Sequence, residues 1–301
     1  MKTLEQAHQE FNYEQLIQEQ LVGQPNAINA YIECCQRYVG QQKTALIWEG
    51  KNGESEQWSF EQLDVASAQL ANYFKSIGIQ VGDCIAGLLP RTPELLITIL
   101  ATWRIGAIYQ PLFTAFESKA IEHRVLTANT KLIVTNAEQR PKLNHVEVKH
   151  ILTVNAGTNL ASNEADFWQE AKQQSDQCEA VLRSFDDDFL MMFTSGTTGL
   201  AKSVPVPLKA VLAFKGYMQH AVDLREDDSF WNLADPGWAY GLYYGITGPL
   251  SLGHSIIMDE RAFSVDHAVE VIKKYRVSNL TGSPTAFRMF FGFKEKFDPS
   301  I

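Results

Sequence analysis

The segment from Asp188 to Pro207 constrains this chain more than any other. It reads Asp-Phe-Leu-Met-Met-Phe-Thr-Ser-Gly-Thr-Thr-Gly-Leu-Ala-Lys-Ser-Val-Pro-Val-Pro. The apolar run Phe189–Phe193 has the length of a buried strand and stops at a turn signal. Four hydroxyls follow (Thr194, Ser195, Thr197 and Thr198), with Gly196, Gly199 and then Lys202. Glycines allow close backbone approach, hydroxyls and backbone N–H groups donate, and an ammonium supplies charge, so the loop suits a polyphosphate. Composition alone fits a Ser/Thr/Gly surface loop equally well. The strand before the loop and the lysine after it favour phosphate.

Two kinds of phosphate loop compete for this text. Gly196–Ser203 nearly spells the Walker pattern G-x-x-x-x-G-K-[ST], with Ala201 in the second glycine's place, and Ser255–Glu260 has a Walker-B-like look. A Walker lysine must open a helix whose N-terminus binds the phosphates. Pro205 and Pro207 lack donors and push Val204 and Val206 out of the helical region. The sequence therefore predicts extended backbone from Lys202. A P-loop ATPase or kinase remains an alternative that a helix at Lys202 would restore.

Thr194–Lys202 closely resembles the phosphate loop of the adenylate-forming (AMP-binding) superfamily, T-S-G-[ST]-T-G-x-P-K-G. That superfamily includes acyl- and aryl-CoA synthetases, luciferases and peptide-synthetase adenylation domains. Ala201 stands where the family has proline, and Ser203 where it has glycine. Neither change removes a donor or the charge. The resemblance implies that Thr194, Ser195, Gly196, Thr197, Thr198, Gly199 and Lys202 contact ATP, and that Thr197 is the candidate Mg2+ contact.

The 301 residues suffice for one large or two ordinary domains. The net charge of −9 argues against a broad nucleic-acid-binding surface, so an anionic substrate must meet a local cluster of donors. Cys34, Cys35, Cys84 and Cys178 show no metal-ligand spacing and read as reduced, mostly buried thiols. No segment approaches 18 consecutive apolar residues and the first residues carry no apolar leader, which predicts no integral membrane segment and a reducing, cytoplasmic setting.

Along the chain, residues 3–38 read as two helical pieces broken near Gly23–Pro25, with Asn26 as the second cap. A hairpin follows, Thr44–Trp48 and Gln57–Ser59 around Asn52-Gly53. Helix 60–77 ends at Gly78, Cys84–Leu89 is a strand, and a helix with proline in its first turn runs from about Arg91 to Ile105. A helix–strand unit spans 117–135. Then come strand His150–Val154, helix Glu164–Gln174, a solvated turn at Asp186–Asp188, and helix Pro207–Val222. Strands Ser229–Leu233, His254–Met258 and Val277–Leu280 and the helix Val265–Tyr275 complete the series. Strands alternating with helices make an α/β chain with a largely parallel sheet.

A second constellation occupies residues 231–250, where aromatics share the text with Gly237, Gly241, Gly245, Gly248, Pro236 and Pro249. An aromatic-rich core helix after a turn is one reading. The other is a pocket wall for an acyl chain or pantetheine arm, with Trp238 and Tyr240 placed just after the Asp235-Pro236-Gly237 turn. Asp235–Gly241 resembles the D-x-G-W-x-x-G segment of acetyl-CoA and medium-chain acyl-CoA synthetases, and Thr281–Arg288 resembles the same branch's x-x-x-P-T-x-x-R turn. Shorter likenesses lie at Trp58–Leu63 and Gly106–Leu112. This branch implies Trp238, Tyr240, Gly241, Gly282 and Ser283 as substrate-binding residues, and fatty or short acyl substrates.

The resemblance covers about residue 25 to residue 301. It implies stacked, largely parallel sheets with surrounding helices, and an acid–thiol ligase that joins a small carboxylic acid to CoA through an ATP-derived acyl-adenylate, as in fatty acid metabolism. The family's Y-G-x-T-E segment occurs nowhere in residues 1–301. That segment, the ribose-binding aspartate and the adenylation lysine are expected beyond Ile301. The chain is therefore expected to be a partial, truncated N-terminal AMP-binding domain, inactive alone, with no catalytic residue assignable within it. A non-catalytic nucleotide- or acyl-CoA-binding module is the other alternative.

Overall fold

The computed structural model describes residues 5–6, 12–158, 160–194 and 199–293. Strands β1 (Thr44–Glu49) and β2 (Ser55–Ser59) form the expected hairpin, and Gly53 takes the left-handed conformation its turn requires, with φ 95°. The larger sheet contains β3 (Cys84–Leu88), β4 (Ile108–Pro111), β5 (Thr130–Asn136), β6 (His150–Val154), β7 (Glu164–Asp166), β8 (Asp188–Thr194) and β9 (Lys202–Pro207). Its spatial order is β7-β6-β5-β3-β4-β8-β9, and every pair is parallel except the final antiparallel β8–β9. Strand β10 (Phe230–Asn232) pairs in parallel with β12 (Asn279–Thr281), while β11 (Ile256–Asp259) pairs in parallel with β1.

Periodicity explains the layers. The strand β3 reads Cys-Ile-Ala-Gly-Leu and is buried throughout, the pattern of a parallel strand covered on both faces. The helix Pro93–Arg104 buries every residue except Glu94, so it lies inside the protein and not on its surface. One apolar core joins this helix, the helix Phe60–Ser76, the β1–β11 pair and the inner faces of β3, β5 and β8. Ser59 and Gln62 close a capping box at the start of helix Phe60–Ser76, and Gly78 (φ 85°) follows its end.

Three element assignments differ from the sequence reading. The second N-terminal helix is only Ala30–Cys34, and its cap is Asn29 rather than Asn26. Asn29 accepts from Tyr31 N at 2.8 Å while its amide donates to Trp103 O at 2.7 Å and Val181 O at 2.8 Å. Ile28, just before it, is drawn into a bridge with Arg183. Residues 3, 4 and 7–11 of the first piece lie outside the described residues. Glu164–Asp166 is strand β7 on the open flank of β6, which shortens the expected helix to Phe167–Ala171. Pro207 closes β9, so the next helix begins at Ala210.

Asp186 pairs with Lys209 and Asp187 with Arg183 at the turn before β8. All four cysteines are free thiols, and three are buried. Among the described residues, no helix is long and apolar enough to cross a membrane.

Candidate functional site

The β8–β9 hairpin settles the local geometry around Lys202. Thr194 pairs with Lys202, Phe193 with Ser203 and Met192 with Val204. The backbone is extended through Pro205 and Pro207, so no helix starts at Lys202 and the Walker reading fails. Both prolines fit because β9 is the sheet's edge and one side of its ladder needs no donors. Gly199 has φ 101°, a conformation that disfavours any side chain. Thr194, Gly199 and Lys202 are exposed at the mouth of the hairpin, and Lys202 has no ion-pair partner among the described residues. Ser195, Gly196, Thr197 and Thr198, including the Mg2+ contact expected of Thr197, lie outside the described residues.

Position in the sheet supports a binding role. The chain leaves β3 for β4 on one side and later returns to β5 on the other, which opens a crevice at the carboxyl edge. Strand β8 runs parallel to β4, so Thr194 ends on that same edge. The helix Ser118–Thr127 follows the loop after β4 and lies against the hairpin. His123 Nε2 donates to the Ala201 carbonyl at 2.8 Å. The next residue, Arg124, lies 4.1 Å from the ring centre of Phe116 and 5.6 Å from that of Phe193. Among the described residues its guanidinium donates to one carbonyl, that of Ala120 in its own helix, at 2.8 Å. Burial lowers the Arg124 guanidinium from its usual pKa range.

The second constellation stands at the carboxyl ends of β10 and β12. Leu233 N donates to Thr281 O at 2.9 Å, and a Cβ on Gly282 would lie 3.2 Å from Leu233 Cβ. Asp235 accepts from Gly237 N at 2.7 Å, closing the turn. Burial raises the Asp235 carboxyl, opposed by that N–H and by Arg91. Trp238 precedes the helix Ala239–Leu242, and 46% of its surface remains exposed. Its ring centre is 5.5 Å from Phe113 and 5.4 Å from Phe116. Gly241 is dictated by contact, since a Cβ there would overlap the Asp235 carbonyl.

Trp238 therefore reaches the β8–β9 hairpin through a short relay of Phe116, Arg124 and Phe193. Tyr240 packs with other rings. Its ring is 5.4 Å from Tyr244, which stacks on Tyr217 at 4.0 Å, and Phe214 stacks on Tyr243 at 4.4 Å. Burial first, then Tyr217, raises the Tyr240 phenol. A π-helical stretch, Tyr243–Thr247, sets these rings at their spacing. Among the described residues, Trp238 and Tyr240 thus pack with two different sets of rings. Ser283 is exposed and caps the helix Pro284–Gly292 by accepting from Ala286 N at 3.2 Å. Sequence reading missed Phe113, Phe116, His123 and Arg124. Phe113 and Phe116 stand in the loop after β4, and His123 and Arg124 in the helix Ser118–Thr127 that follows it.

Two other features do not serve as phosphate or metal sites. Asp259, in the Walker-B-like string, is held in a two-pronged pair by Arg261 at 2.8 and 3.0 Å. A recess of about 320 Å3 beside the β1–β2 turn is lined by Trp48, Lys51, Glu94, Asn136, Glu138 and Glu260. Its carboxylates outnumber its one cation, which repels a triphosphate. Among the described residues, no group of His, Cys, Asp and Glu is placed to hold a metal ion.

A family model described as AMP-binding enzyme matches residues 35–300. The chain belongs to the AMP-binding enzyme family. Among AMP-binding relatives, the acetyl-coenzyme A synthetase of Deinococcus radiodurans is 33% identical over 304 residues, covering 89% of this chain and 45% of that protein. The acetyl-coenzyme A synthetase of Bacillus subtilis is 29% identical over 301 residues, covering 97% and 52%. A crystal structure of the Brucella canis acyl-CoA synthetase superposes with a TM-score of 0.94 at 47% identity, over 97% of this chain and 54% of that one. The chain thus spans about half the length of the relatives it matches. The stacked, largely parallel α/β architecture is that of this AMP-binding neighbour.

Proposed function

We propose that these residues are the N-terminal part of the AMP-binding domain of an ATP-dependent acyl-CoA synthetase. The observation that carries this reading is the exposed Lys202, without an ion-pair partner among the described residues, set opposite Thr194 at the mouth of an antiparallel hairpin. A lysine in that place is free to meet the β- and γ-phosphates of ATP, with Thr194 and the loop hydroxyls donating beside it. A carboxylate oxygen attacks the α-phosphorus, and pyrophosphate leaves. Like charges oppose that approach, and the hairpin offsets them by holding the leaving pyrophosphate. Mg2+ accompanies the nucleotide. CoA then displaces AMP from the acyl-adenylate through its thiol.

Trp238 shields the acyl side on this reading. Its half-exposed ring, braced on Phe113 and Phe116, offers an apolar face joined to the phosphate hairpin. Short or fatty carboxylic acids fit such a face. The adenylation lysine and the adenine contacts are supplied by residues outside these 301, so the chain alone does not turn over. Carboxylate-dependent exchange of pyrophosphate into ATP tests both parts. The expected outcome is no exchange by the 301-residue chain and exchange by a version extended to its relatives' length. Exchange by the short chain contradicts its inactivity, and none by the long version contradicts the ligase reading.

A further inference from the structure

We propose that His123 is a positioning residue that fixes the stem of the phosphate loop by holding the Ala201 carbonyl. The proposal rests on the assignment of that loop to phosphate and adds how the loop is held. Alanine at position 201 leaves φ unrestricted just before β9 begins at Lys202, where the chain must deliver its ammonium to the hairpin mouth. Among the described residues, Thr194–Lys202 is the last pair of the ladder. End pairs of a hairpin fray unless something outside the ladder holds them.

The helix Ser118–Thr127 supplies that hold on both legs. His123 Nε2–H donates to Ala201 O at 2.8 Å on the β9 side. The acceptor is a carbonyl, which fixes the proton on Nε2. One residue on, Arg124 rests against Phe193 on the β8 side, 5.6 Å from its ring centre. The helix itself is anchored below, because Gln110 at the end of β4 donates to Arg124 O at 3.1 Å. Ile121 and Val125, on its inner face, are buried. A donor on a seated helix thus grips the residue just before the described ladder begins.

Hydrogen exchange on the 301-residue chain tests this without any nucleotide. Replacing the donor by a ring of similar size, His123→Phe, is expected to speed exchange of the Gly199–Ser203 amides about fivefold, the worth of one hydrogen bond. His123→Gln keeps a donor and is expected to stay near the native rate. Adding Ala201→Pro to His123→Phe restricts φ directly and is expected to restore slow exchange. Native rates in His123→Phe overturn the proposal. So does acceleration shared equally by β3 and β5, which would place the effect in the whole fold. Failure of the acyl-CoA synthetase reading would leave these rates unchanged and would show only in the pyrophosphate exchange.

Discussion

Thr194 and Lys202 are paired across the antiparallel β8–β9 ladder, with the hydroxyl- and glycine-rich loop between them. The pairing places a strand's last hydroxyl and a free ammonium side by side at the carboxyl edge of the sheet. A helix-opening lysine, as in a P-loop, would instead point backbone N–H groups at the phosphate. On the proposed phosphate reading, side chains such as those of Thr194 and Lys202 supply donors instead.

On the proposed reading Trp238 lies on the acyl side of that edge, and its truncation should separate the two substrates. In the extended enzyme, Trp238→Ala is expected to raise KM for the carboxylate about tenfold while KM for ATP holds, since one half-buried aromatic face is lost. Steady-state exchange kinetics with each substrate varied in turn make the check. An equal rise in both KM values would detach Trp238 from the acyl side.

Gly241 is expected to be intolerant of any side chain. Its Cβ would overlap the Asp235 carbonyl and lie 2.8 Å from Pro236 N, both backbone atoms that cannot swing aside. Gly241→Ala should destabilise the fold by about 2 kcal/mol, the usual scale for overpacking. Gly216 has nothing near its missing Cβ, so Gly216→Ala in the helix Ala210–His220 should be neutral or stabilising. Urea midpoints of the two variants should move in opposite senses or differ clearly.

Lys215 gives a pH-dependent signature. It is 2% exposed and donates to the Gln20 carbonyl, and burial, followed by Arg37, lowers its ammonium from 10.5 to about 8. The unfolded chain binds that proton more tightly, so this residue's cost is fully present below pH 8 and fades as pH rises towards 10.5. Relative to Lys215→Met, the native chain should gain about 2 kcal/mol between pH 7 and pH 9.5. Denaturant melts of both chains at the two pH values check it. A gap that does not change with pH would mean Lys215 titrates normally.

Thiol accessibility should follow burial. Cys34, Cys35 and Cys84 are buried, and burial raises all three thiols, Cys84 to about 12. Cys178 is partly exposed, with the Lys75 ammonium 3.1 Å from its sulfur. A thiol reagent under native conditions should label Cys178 alone, and the other three only after unfolding. Mass spectrometry of the labelled peptides decides the matter.

Local chemistry made much of this legible before any coordinates. Pro205 and Pro207 excluded a helix at Lys202, and the observed strand β9 bears that out because backbone restriction needs no tertiary partner. The apolar strand over β3 was likewise written in its own residues. What stayed hidden depends on distant partners. Asn29 outcompetes Asn26 as a cap because its amide finds the Trp103 and Val181 carbonyls. Glu164–Asp166 leaves the helical pattern because the flank of β6 offers a ladder. His123 lies 78 residues before Ala201, and no spacing rule brings a histidine to that carbonyl. Trp238 was legible as an aromatic at a turn, whereas its seat on Phe113 and Phe116 was not.

Calorimetric titration of the 301-residue chain with inorganic tripolyphosphate tests the assignment of the hairpin most directly. The native chain should bind it, and Lys202→Ala should bind it at least about tenfold more weakly, the loss of one charge-assisted contact. Equal affinity in the two chains, or no binding by the native one, would contradict a phosphate site at Thr194–Lys202.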